Sequence, residues 1–270
     1  MTTAEAPFET TIDDGICRFA RPGTRWLATG PVGGRFDADA AYNLTVPDPW
    51  EPTVIDAYVE GRLVEAGFEP AGPALLTGVD QRHARGARCG PVTAVATAGV
   101  SNPAALPMDP AGGSLPTLEP LGGAADGGGG TGIDPDDASS PGPDDATHRP
   151  GTVNVLVGTT RALDPGALAN LATVVAEAKA ATVLATTGFT GTTTDAVIVG
   201  CDPSGPVESF SGSATPVGAA TRAGVREAVR AALDAWIDDG GAVPDSVESA
   251  DYGVSTDVRA TVFTPAERRD

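Results

Sequence analysis

Residues 151–200 read GTVNVLVGTTRALDPGALANLATVVAEAKAATVLATTGFTGTTTDAVIVG, and this stretch decides the fold. The β-branched run at 153–157 predicts a buried strand. Asp164 followed by Pro165 is typical of an N-cap and the first helical position, and a helix of about five turns should follow. Residues 196–199 predict a second buried strand. Between the helix and this strand lies a Gly/Thr-rich loop that ends in Asp195.

The predicted helix carries only two charged residues, Glu177 and Lys179, and Lys179 is the only lysine of the chain. Its apolar residues lie nearly all round the axis, which is typical of a buried helix. At about 100° per residue the two charged side chains project about 200° apart, so at most one of them faces any given site. A buried ion pair or a snorkelling side chain would also account for Lys179.

The composition is strongly acidic, with 36 Asp and Glu against 17 Lys and Arg and a formal net charge of −19 over 270 residues. Self-repulsion of this size weakens a compact state, and concentrated salt screens it. The pattern indicates adaptation to high salt and argues against nucleic-acid binding, which needs basic patches. We find no signal peptide and no apolar run of membrane-spanning length, and therefore expect a soluble, cytoplasmic protein without a membrane partner.

We predict a mixed α/β fold, a single domain of β-sheet flanked by helices and interrupted by a long insertion. We predict that residues 1–10 form a flexible tail. The two parts of the domain are expected at 11–103 and 151–265. Residues 104–150 are rich in Gly, Pro and Asp and have too few apolar residues to offset the entropy of ordering, so we expect a disordered insertion there.

Further elements follow from local signals. Pro22 and Gly23 predict a hairpin turn between residues 12–20 and 25–29, and residues 30–47 predict a Gly-rich loop containing Tyr42 and Asn43. Strands are expected at 74–77 and 92–98 and, as a last edge strand, at 257–263. Amphipathic helices are expected from Glu51 to Gly67 and, near the C-terminus, around 225–236.

The inventory of reactive residues excludes several mechanisms. There are two histidines, His83 and His148, and three cysteines without a CxxC pair, so we expect neither a metal site nor a disulfide framework. No nucleophile elbow, Walker loop or dinucleotide fingerprint is present, and we expect no cofactor. An enzyme of this composition would use Ser or Thr hydroxyls, carboxylates, amides or Lys179. A Thr hydroxyl needs a base, and one base available without histidine is the α-amino group of the same Thr, freed by backbone cleavage.

Four motifs together resemble the adenosylcobinamide amidohydrolases of archaeal corrinoid salvage. They are VTAVATAGVSN at 92–102, GTVN at 151–154, EAK at 177–179 and GTTTD at 191–195. The resemblance covers roughly 12–103 and 151–237 and departs from the family pattern at Ala176, Thr193 and the Tyr42–Asn43 pair. It implies hydrolysis of the amide that joins the aminopropanol arm to the corrin ring, giving adenosylcobyric acid, with a small corrinoid as substrate.

A second resemblance concerns the mechanism. Gly-Thr before a strand, followed by a helix and a Gly-rich loop ending in an acid, is similar to the β-peptidyl aminopeptidases and ornithine acetyltransferases. This similarity implies their layered fold and Thr152 as an N-terminal nucleophile, released by cleavage after Gly151. Alternatively, Gly151 and Thr152 merely begin a strand. As functions we therefore keep two alternatives to the amidohydrolase: an N-terminal-nucleophile aminopeptidase or acyltransferase, and a corrinoid-binding module without turnover.

We expect a site built from the edges of the three predicted strands 92–98, 153–158 and 196–200. Asn102 either caps a turn or donates to an oxyanion, and Asn154 is a lone amide among valines that must be satisfied. Asp195 is either a turn residue or the main functional carboxylate. The catalytic candidates are Thr152, Asp195, Glu177 and Lys179, and the substrate-binding candidates are Asn102, Asn154, Ser101, Tyr42, Asn43 and Thr194.

Overall fold

A computed structural model of the chain describes residues 8–31, 33–47, 54–115 and 151–266. Within these residues the chain forms three α-helices, α1 (Ile55–Glu65), α2 (Pro165–Thr187) and α3 (Pro216–Asp238), and one 3-10 turn (Gln81–His83). The strands are β1 (Glu9–Asp13), β2 (Ile16–Ala28), β3 (Gly34–Thr45), β4 (Ala74–Thr77), β5 (Arg85–Cys89), β6 (Val92–Ala98), β7 (Pro103–Ala105), β8 (Val153–Thr159), β9 (Ala162–Leu163), β10 (Gly191–Thr192), β11 (Ala196–Cys201), β12 (Val207–Glu208) and β13 (Val254–Ser255). The predicted mixed α/β class is confirmed.

One mixed sheet contains eight of these strands, in the order β4-β3-β2-β11-β8-β6-β5, with β1 paired to β2. β8 and β11 are parallel neighbours, with Asn154 opposite Ala196. Adjacent parallel strands need a crossover connection, which α2 supplies. β6 runs antiparallel to β8, with Ala98 opposite Val153. The end of β6 and the beginnings of β8 and β11 therefore meet at one end of the sheet.

The two faces of the sheet line different cores. On the outer face, α2 and α3 pack against β6, β8 and β11, and α1 packs against β2, β3 and β4. On the inner face, edge strand β4 contacts β8 and β11, so the sheet curls over on itself. The inner core is enclosed by this curl and contains large buried side chains, among them Phe8, Phe19, Trp26, Leu156 and Ile198.

Helix α2 has the ends that the sequence predicts. The Asp164 carboxylate accepts a hydrogen bond of 2.7 Å from the Ala167 N–H, and Gly188 ends the helix with a φ of 83°. Among the described helices, α2 alone is long and apolar enough to cross a membrane by length and composition. It packs against the sheet and the neighbouring helix α3, and is the core helix of this domain.

Three local predictions are wrong. The hairpin turns at Asp14 and Gly15, whose φ values of 45° and 71° suit a two-residue loop. Pro22 and Gly23 instead lie within β2, where the register with β3 shifts between Ala20 and Thr24. Residues 34–45 form strand β3 and not a loop: residues 35–39 alternate between exposed and half-buried, as in a strand with one solvent face, and residues 40–44 are all buried. Residues 257–263 form no strand; the last one is β13.

The ordered chain extends into both segments predicted to be flexible. Phe8, within the predicted tail, is fully buried, and Glu9 pairs with Ala20. β7 enters the predicted insertion and pairs with β10 and β13. The remainder of the predicted insertion from 116 to 150, the start of the tail and the predicted helix start at Glu51 lie outside the described residues.

Candidate active site

Polar side chains gather where β6 ends and where β8 and β11 begin. Thr152 and Asp195 immediately precede β8 and β11, and the loop 191–194 leads into Asp195. Lys179 lies in the second half of α2, which packs over this end of the outer face. The parallel pairing of β8 with β11 places the two strand starts side by side, so residues far apart in sequence form one cluster.

Asp195 is the centre of this cluster. Its Oδ1 accepts hydrogen bonds from the Val153 N–H at 2.9 Å and from the Thr192 hydroxyl at 2.5 Å. Its Oδ2 accepts from the Thr192 N–H at 3.1 Å and from the Lys179 ammonium, and both members of this ion pair are 11% exposed. A carboxylate offers about four lone-pair sites, and here all four are occupied. Asp195 therefore fixes its surroundings and has no lone pair left for the proton of a nucleophile.

Gly191 allows this ion pair to form against the loop backbone. A Cβ at this position would lie 2.4 Å from Asp195 Oδ2 and 3.1 Å from Lys179 Nζ. Any side chain would thus displace the carboxylate or the ammonium. This steric limit explains why the Gly-Thr-Thr-Thr-Asp motif begins with glycine.

Thr152 lies beside the ion pair and points away from it. Its hydroxyl is 3.1 Å from the Thr194 hydroxyl, whereas Asp195 bonds to Lys179 on the helix side of the strands. Thr152 is 3% exposed, and Thr194 is exposed. Among the described residues no ionisable side chain forms a hydrogen bond with the Thr152 hydroxyl. The pair of hydroxyls therefore reaches the surface at Thr194 and has no side-chain base among the described residues.

Asn102 and Ser101 hold the surrounding segments together. The Asn102 amide donates to the Thr193 hydroxyl at 2.7 Å, and the Asn102 carbonyl accepts from the Thr193 N–H at 3.2 Å. The Ser101 hydroxyl accepts from the Gly151 N–H at 2.7 Å. The side-chain oxygen of Asn102 is buried and has no hydrogen-bond partner within the described part of the chain. The end of β6 is thereby tied both to the loop before β11 and to the chain entering β8.

A second cluster, built from the side-chain amides of Asn154 and Asn43, lies on the inner face of the sheet, behind Thr152. Asn154 donates at 2.9 Å both to the Asn43 side chain and to the Leu76 carbonyl of β4, and Asn43 donates at 3.0 Å to the Thr97 hydroxyl. All three side chains are buried, and the Asn154 side-chain oxygen has no partner. This cluster ties β3, β4, β6 and β8 together across the curl of the sheet.

Comparison with known proteins assigns the family. The sequence profile of a family described as adenosylcobinamide amidohydrolase matches residues 2–241. The chain belongs to this family. An adenosylcobinamide amidohydrolase of Halobacterium salinarum is 56% identical over 260 residues, which cover 96% of this chain and 100% of that protein. The resemblance drawn from the four sequence motifs is confirmed, and the whole cluster lies within the part matched by the adenosylcobinamide amidohydrolase profile.

Two of the predicted site residues belong to neither cluster. The Glu177 side chain is 57% exposed and faces Arg222 of α3 at 3.4 Å. Tyr42 lies in the outer core under α1, where its hydroxyl donates to the Glu69 carbonyl at 2.9 Å. Its neighbour Asn43 reaches the inner face because successive strand residues point to opposite faces. The geometry gives Glu177 and Tyr42 no part in a site of the amidohydrolase family at Thr152.

Two polar residues of these clusters were not among the predicted site residues. Thr192 gives Asp195 two of its four hydrogen bonds, and Thr97 completes the inner amide cluster. Thr192 could have been found from its position three residues before Asp195 in a tight Gly-Thr loop. Thr97 could have been found as one of two threonines, with Thr93, in a strand that is otherwise Ala and Val, since buried hydroxyls need partners.

Proposed function

We propose that the protein hydrolyses the amide of adenosylcobinamide between the aminopropanol arm and the corrin ring, releasing adenosylcobyric acid. The observation that carries the proposal is 56% identity across the full length of the Halobacterium salinarum amidohydrolase. The net charge of −19 accords with a relative from a halophile, and we propose a salt-rich cytoplasm as the setting.

We propose Thr152 as the nucleophile of this reaction. Its hydroxyl oxygen would attack the carbonyl carbon of the scissile amide, the aminopropanol nitrogen would leave with a proton, and water would hydrolyse the resulting ester. Support comes from the paired hydroxyls of Thr152 and Thr194, which are 3.1 Å apart at the rim of the domain. The Asp195–Lys179 pair would act by position, because Asp195 holds the N–H of Val153, the residue after the nucleophile.

A cobamide precursor carries several similar side-chain amides, so selectivity must come from placing one of them at Thr152. The loop 191–194 and Asn102 are suited to this, since they surround Thr152 and are held rigidly by the Asn102–Thr193 and Thr192–Asp195 hydrogen bonds. Rigid positioning of this kind favours a single reactive geometry.

The test is turnover of adenosylcobinamide by purified protein in molar KCl, with adenosylcobyric acid and aminopropanol separated by chromatography. Thr152→Val removes the hydroxyl at nearly constant shape and should lower turnover by at least about 10³-fold. Thr221→Val is the matched control, because the Thr221 hydroxyl is also buried but has no hydrogen-bond partner and lies on α3. This control should keep full turnover.

Each other result contradicts a defined part of the proposal. Binding of adenosylcobinamide without product would indicate a corrinoid-binding module. Release of amines from β-peptides, with adenosylcobinamide unchanged, would indicate an aminopeptidase. Product formation by Thr152→Val at the wild-type rate would refute Thr152 as the nucleophile while leaving the reaction itself in place.

A further inference from the structure

The hydroxyl and the backbone N–H of Thr152 have few hydrogen-bond partners. The hydroxyl contacts only another hydroxyl, that of Thr194, among the described residues. The backbone N–H of Thr152 donates no hydrogen bond to any described residue, although the residue is 3% exposed. Buried backbone N–H groups are paired in the great majority of cases, so an unpaired one at a candidate nucleophile calls for a specific explanation.

The chain after the Thr152 nitrogen is held independently of the chain before it. The Thr152 carbonyl accepts from the Gly99 N–H at 3.2 Å, and the next N–H, that of Val153, is bonded to Asp195 at 2.9 Å. Asp195 is itself fixed by Lys179. Breaking the peptide bond before Thr152 would therefore leave Thr152 in its present position at the start of β8.

The residue on the other side of that bond is wedged against the end of β6. A Cβ at Gly151 would lie 2.4 Å from the Gly99 carbonyl oxygen and 2.6 Å from the Ser101 nitrogen. The Gly151 N–H is bonded to the Ser101 hydroxyl at 2.7 Å. Glycine is the one residue that fits here. The Gly151–Thr152 peptide bond is therefore fixed from both sides, by the contacts of Gly151 with the end of β6 and by the hydrogen bonds of Thr152 and Val153.

We propose that the protein cleaves its own peptide bond between Gly151 and Thr152. The Thr152 Oγ1 attacks the Gly151 carbonyl carbon, the bond from this carbon to the Thr152 nitrogen breaks, and the hydroxyl proton ends on that nitrogen. The product is an ester between Gly151 and Thr152 with a free α-amine. One water then hydrolyses the ester, giving a Gly151 carboxylate and restoring the Thr152 hydroxyl.

The cleavage supplies the base that the described site lacks. The new α-amine is on the same residue as the hydroxyl, and an α-amino group has a pKa of about 7.7–8.0, so a useful fraction is unprotonated near neutrality. It also replaces an amide N–H that has no acceptor among the described residues, so no hydrogen bond to them is lost. This inference rests on the proposed role of Thr152 as the nucleophile of the amidohydrolase reaction.

Intact-mass measurement of the purified protein tests the proposal. We expect two fragments, the second beginning at Thr152, that remain associated because β11 of one pairs with β2 of the other. Thr152→Val should remain a single chain, Thr152→Ser should still be cleaved, and the control Thr221→Val should be cleaved like the wild type. Uncleaved Thr152→Val should turn over substrate at least about 10³-fold more slowly, because it lacks both the nucleophile and its base.

The outcomes separate self-cleavage from the proposed function. An uncleaved chain of 26.9 kDa that hydrolyses adenosylcobinamide overturns self-cleavage and leaves the function standing. Cleavage of Thr152→Val at the same bond indicates a foreign protease and also overturns the proposal. A protein cleaved before Thr152 that yields no adenosylcobyric acid supports self-cleavage and refutes the proposed function. If Thr152→Val fails to fold, cleaved and active Thr152→Ser supports the proposal, and uncleaved but active Thr152→Ser overturns it.

Discussion

Removing the Lys179 ammonium should destabilise the protein more than any surface charge change. Lys179 and Asp195 are each 11% exposed, and breaking a buried ion pair by removing one partner costs about 3–5 kcal/mol. In Lys179→Met the Asp195 carboxylate keeps three donors, from Val153 and Thr192, so we expect the lower limit of about 3 kcal/mol. In Asp195→Asn the ammonium loses its only partner among the described residues, and the new NH₂ group meets other donors, so we expect about 5 kcal/mol.

Denaturant unfolding in molar KCl would measure both losses, together with that of the double variant Lys179→Met/Asp195→Asn. At about 2–4 °C per kcal/mol for a chain of this size, the single variants should melt roughly 6–20 °C lower. The double variant should lose less than the sum of the two single losses, because no uncompensated charge remains. Glu177→Gln is the control, since Glu177 lies on the same helix as Lys179 but its pair with Arg222 of α3 is exposed and worth about 0–1 kcal/mol.

Two results would refute this reasoning. One is a loss for Lys179→Met that equals the loss for Glu177→Gln, which would mean that the Lys179–Asp195 pair is hydrated like a surface pair. The other is additive losses in the double variant, which would mean that the two groups do not interact in solution. In either case the positioning role proposed for Asp195 would lack its physical basis.

Three further predictions follow from charge and burial. Because the net charge is −19, the melting temperature should rise steeply between low and molar KCl, and a flat response would remove the explanation by salt adaptation. Burial raises the pKa of the Cys17 thiol from 9.0 to about 12. The unfolded chain then loses this proton first as pH rises, so stability should fall between pH 9 and 12, and Cys17→Ala should flatten this slope in denaturant titrations at several pH values. Asn154→Val leaves the Asn43 oxygen and the Leu76 carbonyl without a donor and should lower the free energy of unfolding by about 1–3 kcal/mol; no loss in denaturant titration would show that water replaces the amide.

Strands β6, β8 and β11 and helix α2 could be predicted because the sequence signals for each of them are local and do not compete. Helix α2 begins at an Asp-Pro pair and ends at a glycine, and β6, β8 and β11 are short apolar runs buried on both faces. The first hairpin was misplaced because two turn signals lie within ten residues of each other. Asp14–Gly15 fits the twist of a two-residue hairpin, whereas Pro22–Gly23 is absorbed as an irregularity of β2.

The individual polar residues of the candidate site could be predicted from the sequence, but not which of them contact one another. Helical geometry showed that Glu177 and Lys179 could not both face a site, but α2 is apolar nearly all round, so the sequence did not indicate which side packs on the sheet. The sequence predicts a loop around Tyr42 and Asn43. In the strand β3 that forms instead, successive side chains point to opposite faces, so these two residues cannot share a site. The contact of Asn154 with Asn43 and β4 depends on the curl of the sheet, which no local pattern encodes.

The position of the cluster in the sheet bears on its chemistry. In open parallel α/β sheets, ligands bind at the carboxyl ends of the strands, whereas here the cluster lies at the amino ends of β8 and β11, beside the carboxyl end of antiparallel β6. A nucleophile at the start of a strand is preceded by a connection and not by sheet hydrogen bonds. Cutting the chain before Thr152 therefore breaks no ladder pairing, and its α-amine forms where β6 and Asp195 hold the rest of the residue. The same cut at the carboxyl end of a strand would leave the new carboxylate on the strand and the α-amine on the segment that follows it.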